Sequence, residues 1–174
     1  MEYVGKYRII RTLGQGGMGV VYEALDEKIR SRVAVKVLNR KFVYDPEVMT
    51  RFMNEAHIAN SISHPGIVKV FDHGFLPTGE AYFVMEYLPT SLADRLPGPL
   101  RPSVVVPLIA DLARILAELH AQGYVHRDVK PTNILFADDG SVRLSDFSHV
   151  KTPDDDVRVV PHSTEAGSFL GTRE

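Results

Sequence analysis

The 174-residue chain carries 20 Lys and Arg against 22 Asp and Glu, a formal charge of −2, and neither Cys nor Trp. A disulfide scaffold and a thiolate metal site are thereby excluded, and the near-neutral charge offers no electrostatic footprint for nucleic acid. With 44% hydrophobic and 24% charged residues, no signal-peptide-like start and no apolar run near the ~18 residues of a membrane helix, the composition predicts a globular, cytoplasmic domain.

The first third alternates like a sheet, with strands expected from Tyr7 to Leu13, Gly19 to Leu25 and Arg32 to Leu38. The first two flank Gly14-Gln15-Gly16-Gly17-Met18-Gly19-Val20-Val21. A dinucleotide-binding fingerprint needs a helix straight after its glycines, whereas Val20-Val21-Tyr22-Glu23-Ala24-Leu25 is β-branched and aromatic and favours a strand. The string is therefore a hairpin turn, either plainly flexible or able to fold down over phosphates because its glycines lack side chains.

In Val33-Ala34-Val35-Lys36-Val37-Leu38, alternation puts Ala34, Lys36 and Leu38 on one face and the valines on the other. Both faces are otherwise apolar, so the strand should be buried on both sides. A cation there must be paired or must snorkel to solvent. A helix follows: Asp45 is its N-cap, Pro46 its first residue, and Glu47 suits the positive end of the dipole. Val48, Phe52, Ala59 and Ile62 share one helical face, and so does the lone carboxylate Glu55. Two opposite charges stranded on apolar faces of neighbouring elements are best explained by each other, which predicts a Lys36–Glu55 pair.

Two more strands, Val68 to Phe75 and Ala81 to Leu88, are joined by the turn signal Pro77-Thr78-Gly79. Gly98 with Pro97, Pro99 and Pro102 marks an internal boundary. Leu108, Leu112, Leu116 and Leu119 then form the stripe of a second long helix that Gly123 ends, with Pro107 starting or kinking it. Further on, Ile134 to Phe136 and Val142 to Leu144 flank a hairpin turn at Asp138-Asp139-Gly140. From Lys151 the chain is polar and aperiodic, with an acidic run at Asp154 to Asp156 that reads as a solvated loop. His57, His64, His73, His120, His149 and His162 form no metal-binding spacing and should be solvated or capping.

Between the second helix and the last hairpin lies His126-Arg127-Asp128-Val129-Lys130-Pro131-Thr132-Asn133, and Ser145-Asp146-Phe147-Ser148 follows the hairpin. Phosphoryl transfer needs metal ligands, a group to align the attacking hydroxyl, and cationic screening. Asn133 and Asp146 offer the hard oxygens that Mg²⁺ prefers, Asp128 can accept a hydroxyl proton, and Lys130 can screen a γ-phosphate.

These motifs occur in the order found in the eukaryotic-like protein kinases, which the sequence resembles from about Tyr7 onward. Gly14 to Ala24 with Val33 to Leu38 looks most like the bacterial serine/threonine group. The resemblance implies an α+β, bilobal fold, with residues 1–88 as a β-rich N-lobe and hinge and residues 89–174 as a partial, mainly helical C-lobe. It implies ATP with Mg²⁺ or Mn²⁺ in the cleft, and transfer of the γ-phosphate to Ser or Thr of protein substrates. Leu13, Val21, Ala34 and Leu135 would sandwich the adenine, with Met85 behind it and the backbone of Glu86 and Leu88 at its edge. Gly14, Gly16 and Gly19 would cover the phosphates, and Lys36, held by Glu55, would bind the α- and β-oxygens. His126 and Phe147 resemble the stacked residues that link the lobes, and Arg127 resembles a receiver of an activation-loop phosphate. Ser163, Thr164 and Ser168 are candidate acceptors for that phosphate, and Thr172 resembles the substrate-adjacent threonine.

Two departures from the family pattern carry expectations. Ser148 stands where glycine is usual, and a Cβ there would strain a glycine-only backbone. The chain also stops just before the family's APE segment, so the leucine stripe should lack a partner and invite self-association. The alternative function is then a nucleotide-binding or interaction module with little turnover. A small-molecule phosphotransferase of related fold fits less well, because its catalytic segment usually lacks the HRDxK arrangement.

Overall fold

The computed structural model describes residues 2–96, 98 and 101–153. Six antiparallel strands form the first sheet: β1 (Tyr3–Val4), β2 (Tyr7–Gln15), β3 (Gly19–Asp26), β4 (Ser31–Leu38), β5 (Val70–Phe75) and β6 (Ala81–Glu86), in the order β1-β2-β3-β4-β6-β5. The alternation in β4 sorts its side chains as expected. Val33, Val35 and Val37 join Val4, Tyr7, Ala24 and Val84 in one core, whereas Leu38 joins Phe52, Ala56, Ala81 and Phe83 in another. The second core is closed by α1 (Pro46–Ser61). Asp45 caps this helix, its Oδ1 accepting from the N–H groups of Glu47 and Val48 at 3.1 Å each, and Pro46 begins it.

Among the described residues no helix side chain joins the first core, over which the sheet curls on itself. Tyr7 on β2 donates its hydroxyl to Asp72 Oδ2 on β5 at 2.9 Å, although three strands separate them in the sheet order. Burial, aided by this bond, pushes the Tyr7 phenol up to about 12. The neutral phenol therefore stabilises the fold fully below its ordinary value of 10.0, and that contribution is lost as pH rises from 10 toward 12. Tyr7→Phe should lower stability by about 1–2 kcal/mol at neutral pH and should remove this alkaline slope, as read by urea denaturation across that range.

The second sheet is β7 (Thr90–Ser91), β8 (Ile134–Phe136) and β9 (Val142–Leu144), in the order β7-β8-β9. The β8–β9 turn carries Gly140 at φ +81°, a conformation that suits glycine. α2 (Pro102–Ala121) starts a turn before Pro107, which lies inside it. This helix corrects one expectation. Leu108, Leu112 and Leu119 are buried, as is Ile115, because their stripe packs on Ile134, Phe136, Val142 and Leu144 and on Ile58, Ala59 and Ile62 at the end of α1. Each fully buried leucine is worth about 1.5–3 kcal/mol, so the stripe is a core and gives no ground for self-association. The apolar side chains that α2 exposes are instead Val104, Val106 and Ile109, each more than half accessible.

Leu144 ties the second sheet to the segment that leads into β5. Its N–H donates to Gly66 O at 2.7 Å, and its carbonyl accepts from Val68 N–H at 3.1 Å. This clamp explains why β5 begins at Val70 rather than Val68, and it fixes the segment that follows β9. Among the described residues, no helix is long and apolar enough to cross a membrane. The acidic run at 154–156, His162, the candidate phosphate acceptors Ser163, Thr164 and Ser168, Thr172, and Pro97 and Pro99 of the expected boundary lie outside the described residues.

Candidate active site

Lys36 sits in the middle of β4, flanked by the buried valines, with its side chain 13% exposed. Its ammonium meets both carboxylate oxygens of Glu55 on α1, at 2.6 and 2.7 Å, and stands 5.8 Å from the centroid of the Phe83 ring. Glu55 is 5% exposed. Burial pushes its carboxyl up, and the Lys36 charge opposes that push. The same ammonium lies 3.7 Å from Asp146 Oδ1, so the pair faces the segment after β9. Met85, Val70 and Phe83 line the space behind the pair with Asp146 and Phe147.

Asp146 belongs to a second cluster held by backbone and side-chain links. Asn133 ends a 3₁₀ turn (Pro131–Asn133) just before β8. Its carbonyl accepts from Ser145 N–H at 2.9 Å and from Ser145 Oγ at 3.1 Å, which keeps Asn133 beside Asp146. The Asn133 Nδ2 donates to Asp128 O at 2.9 Å and to Asp128 Oδ2 at 3.1 Å. Lys130 Nζ donates to the same Oδ2 at 2.6 Å. This bond, more than any other contact, holds the Asp128 carboxyl below the ordinary carboxylate range.

His126, 1% exposed, joins the two loops. Its Nε2 bonds Ser145 O at 3.1 Å, and its Nδ1 accepts from Asp128 N–H at 3.3 Å. A carbonyl only accepts, so Nε2 carries the proton and the ring is neutral. Burial lowers its pKa to match. Phe147 packs edge-on against it, with centroids 5.1 Å apart. Arg127 and Asp146 both adopt left-handed backbone, at φ +62° and +66°. Such conformations cost about 1–3 kcal/mol each and persist only where the surroundings fix them. Arg127 adjoins Asp128, and Asp146 is itself a candidate ligand.

Ser148 corrects the second expectation. The left-handed residue in its motif is Asp146 and not Ser148, so a Cβ at 148 strains nothing. Its hydroxyl instead donates to Asp146 Oδ1 at 2.7 Å and lies 3.0 Å from His149 Nδ1, and that ring nitrogen is 3.9 Å from Asp128 Oδ2. Burial alone would raise the Asp146 carboxyl, but the Lys36 ammonium and hydrogen bonds from Ser148 outweigh it and lower the pKa. His149, 65% exposed and so solvated as expected, thus borders Asp128 and reaches Asp146 only through Ser148. The sequence marks Ser148 only as a departure from glycine two residues after Asp146, which carries no sign of this bond.

The donor set fits a divalent cation. Asn133 spends its amide hydrogens on Asp128, which leaves its oxygen as an acceptor, and Asp146 is 30% exposed. Two hard oxygens on adjoining loops suit an ion that completes its shell with phosphates and water. Among the described residues, no cluster of three or more His, Cys, Asp or Glu builds a metal centre from protein alone.

The glycine-rich turn between β2 and β3 is anchored by Gly16 N–H to Gly19 O at 2.9 Å and by Asn39 N–H to Met18 O at 2.8 Å. A Cβ on Gly14 would meet open space, and one on Gly16 nearly so, whereas one on Gly19 would collide with the backbone carbonyl of Val37. Leu13 is exposed and Val21 half-buried, and Gly14 pairs with Val21 across β2 and β3. Ala34 is buried opposite Met85, and Leu135 is half-buried on β8. Glu86 already donates its N–H to Lys69 O at 2.9 Å, so its carbonyl is what it can offer an adenine edge. Its carboxylate accepts from Lys69 N–H and lies 3.7 Å from Arg143 Nε on β9. Leu88 follows it, half-buried. A roomier cleft of about 200 Å³ lies elsewhere, among Leu92, Arg95, Pro107, Leu108 and Phe136. It is mostly apolar, with Arg95 and Asp111 among its lining, and holds none of the residues of the clusters above.

Comparison with known proteins agrees with this geometry. The protein kinase domain family matches residues 7–174. The serine/threonine-protein kinase PknA of Mycobacterium tuberculosis is 39% identical over 177 residues, covering 98% of this chain and 40% of the relative. Pkn1 of Myxococcus xanthus is 39% identical over 175 residues, covering 98% and 24%. PknB of Mycobacterium leprae is 35% identical over 175 residues, covering 97% and 28%. The chain thus spans less than half the length of these relatives. Since the family match runs from β2 to the end of the chain, taking in Lys36, Glu55, Asp128 and Asp146, this chain belongs to the protein kinase family.

Proposed function

We propose that this chain is an ATP-dependent protein kinase that transfers the γ-phosphoryl group to Ser or Thr hydroxyls of protein substrates in the cytoplasm. The observation that carries the reading is the convergence of the Lys36–Glu55 pair on Asp146 beside the Asp128–Lys130–Asn133 cluster. Lys36, fixed at both Glu55 oxygens, presents its ammonium to the α- and β-phosphates. Leu13, Val21, Ala34 and Leu135 enclose the adenine, with Met85 behind it and the backbone of Glu86 and Leu88 at its edge. Asn133 and Asp146 would hold Mg²⁺ or Mn²⁺, and the bound ion supplies charge neutralisation at the phosphate oxygens.

Asp128 Oδ2 takes hydrogen bonds from Lys130 and Asn133, which leaves Oδ1 for the substrate hydroxyl. As the hydroxyl oxygen bonds the γ-phosphorus, the bond from phosphorus to the ADP oxygen breaks, and the hydroxyl proton passes to Asp128. Lys130 screens the charge on the moving group. Incubating the full chain with γ-labelled ATP and a generic basic protein should label phosphoserine or phosphothreonine. ATP-dependent thermal stabilisation without label would leave only a nucleotide-binding module.

The glycines should separate in their effects. Gly14→Ala should leave the melting temperature unchanged and weaken ATP about tenfold, or ~1.4 kcal/mol, because a methyl group holds the turn off the phosphates. Gly19→Ala should cost about 1–3 kcal/mol of stability through its clash with Val37. Thermal melts with and without ATP read both quantities.

A further inference from the structure

Ser148 is tied to the cluster in a way that none of the roles above uses. A carboxylate only accepts, so the single proton of the Ser148 hydroxyl, 2.7 Å from Asp146 Oδ1, goes to that oxygen. The hydroxyl oxygen is then an acceptor for His149 Nδ1 at 3.0 Å. Lys36 approaches the same Oδ1, at 3.7 Å. One oxygen of Asp146 therefore faces both a hydroxyl and an ammonium. The backbone at Asp146 is left-handed, at φ +66°, and the Ser148 hydroxyl is one of the groups that fix the direction of its carboxylate.

We infer that Ser148 is a positioning residue that occupies Oδ1 of Asp146 and thereby presents Oδ2 alone to the divalent cation. This rests on the proposed kinase reading, in which Asp146 is a metal ligand. Outer partners that orient a ligand typically contribute 10–100-fold to metal affinity. Removing the hydroxyl leaves Asp146 only the Ser148 backbone bond and the Lys36 charge, so its carboxylate can turn toward Lys36, which weakens the site.

The test is a Mn²⁺ titration of the full chain with ADP, followed by electron paramagnetic resonance and requiring no turnover. Ser148→Ala should bind Mn²⁺ about tenfold more weakly, and Ser148→Thr, which keeps the hydroxyl, should stay close to wild type. Ser148→Gly removes the same hydroxyl without adding bulk and reads the same loss should the alanine variant not fold. Equal Mn²⁺ affinity in wild type and a folded Ser148→Ala or Ser148→Gly protein overturns the role of Ser148 and leaves the kinase reading intact. A wild-type chain that binds no Mn²⁺ with ADP overturns both.

Discussion

Lys36→Met should lower the unfolding free energy by about 3–5 kcal/mol, the cost of removing one partner from a buried ion pair. The loss arises less from the missing contact than from what stays behind. Glu55 is 5% exposed on the apolar face of α1, and Lys36 is the only ammonium that an ion pair brings to it among the described residues. Without that cation, burial and the Asp146 charge push the Glu55 carboxyl further above the ordinary 4.5. A raised carboxyl contributes stability that is fully present below its unfolded value and is lost as pH rises through the folded one. The variant should therefore be closest to wild type at about pH 4–5 and furthest from it at about pH 8, as urea melts at the two values would measure. Lys36→Met/Glu55→Leu, with no stranded charge, should recover most of the stability. It should not recover nucleotide binding, since no ammonium faces Asp146. If Lys36→Met melts like wild type at neutral pH, the pair is not what holds α1 to β4. If the double variant regains ATP binding, Lys36 has no role at the phosphates.

That pair was legible because each charge interrupts a regular pattern. Lys36 breaks a run with period 2 and Glu55 a face with period 3.6, so each looked misplaced before any partner was known. Asp45 and Pro46 likewise announce the start of α1 through local chemistry alone. Features that depend on distant partners were not legible. β1 and β7 are two residues each, too short to carry a period, and exist only because β2 and β8 pair with them. Glu23 is buried because Arg11 and Arg32, on the strands to either side, reach it at 2.8 and 3.1 Å, a register that the sequence does not print. The leucine stripe of α2 looked unpartnered because the chain stops before the APE segment. Its partners are the β8–β9 hairpin and the end of α1, tertiary contacts with no local signal. Ser148 read as a missing glycine because the strained backbone was assigned to the wrong residue of the motif. The strain sits at Asp146, and the hydroxyl two positions on holds that residue's side chain.

Asp128→Asn should cut phosphoryl transfer by about 10²–10⁴-fold, the usual worth of a positioned proton acceptor, while ATP still stabilises the protein. The two carboxamide atoms fill the space of the carboxylate, so neither the His126 bond to the 128 backbone nor the Asn133 bond to its carbonyl is lost. An amide cannot take the hydroxyl proton. It also ends the charge-assisted bond from Lys130 at 2.6 Å, so Lys130 loses the partner that raises its pKa. Because that bond holds the wild-type Asp128 carboxyl below its ordinary 3.8, the group stays ionised at every pH above about 4. Its contribution to stability and to turnover is present there and is lost only as pH falls through the lowered value. A fall in the wild-type rate around neutral pH must therefore come from another group, and His126, with its depressed pKa, titrates below neutral as well. Single-turnover assays of Asp128→Asn and wild type across pH, with ATP-dependent melts run beside them, separate the proton acceptor from its scaffold. Transfer within about tenfold of wild type would remove Asp128 from the chemistry and leave it as a structural partner of Lys130 and Asn133.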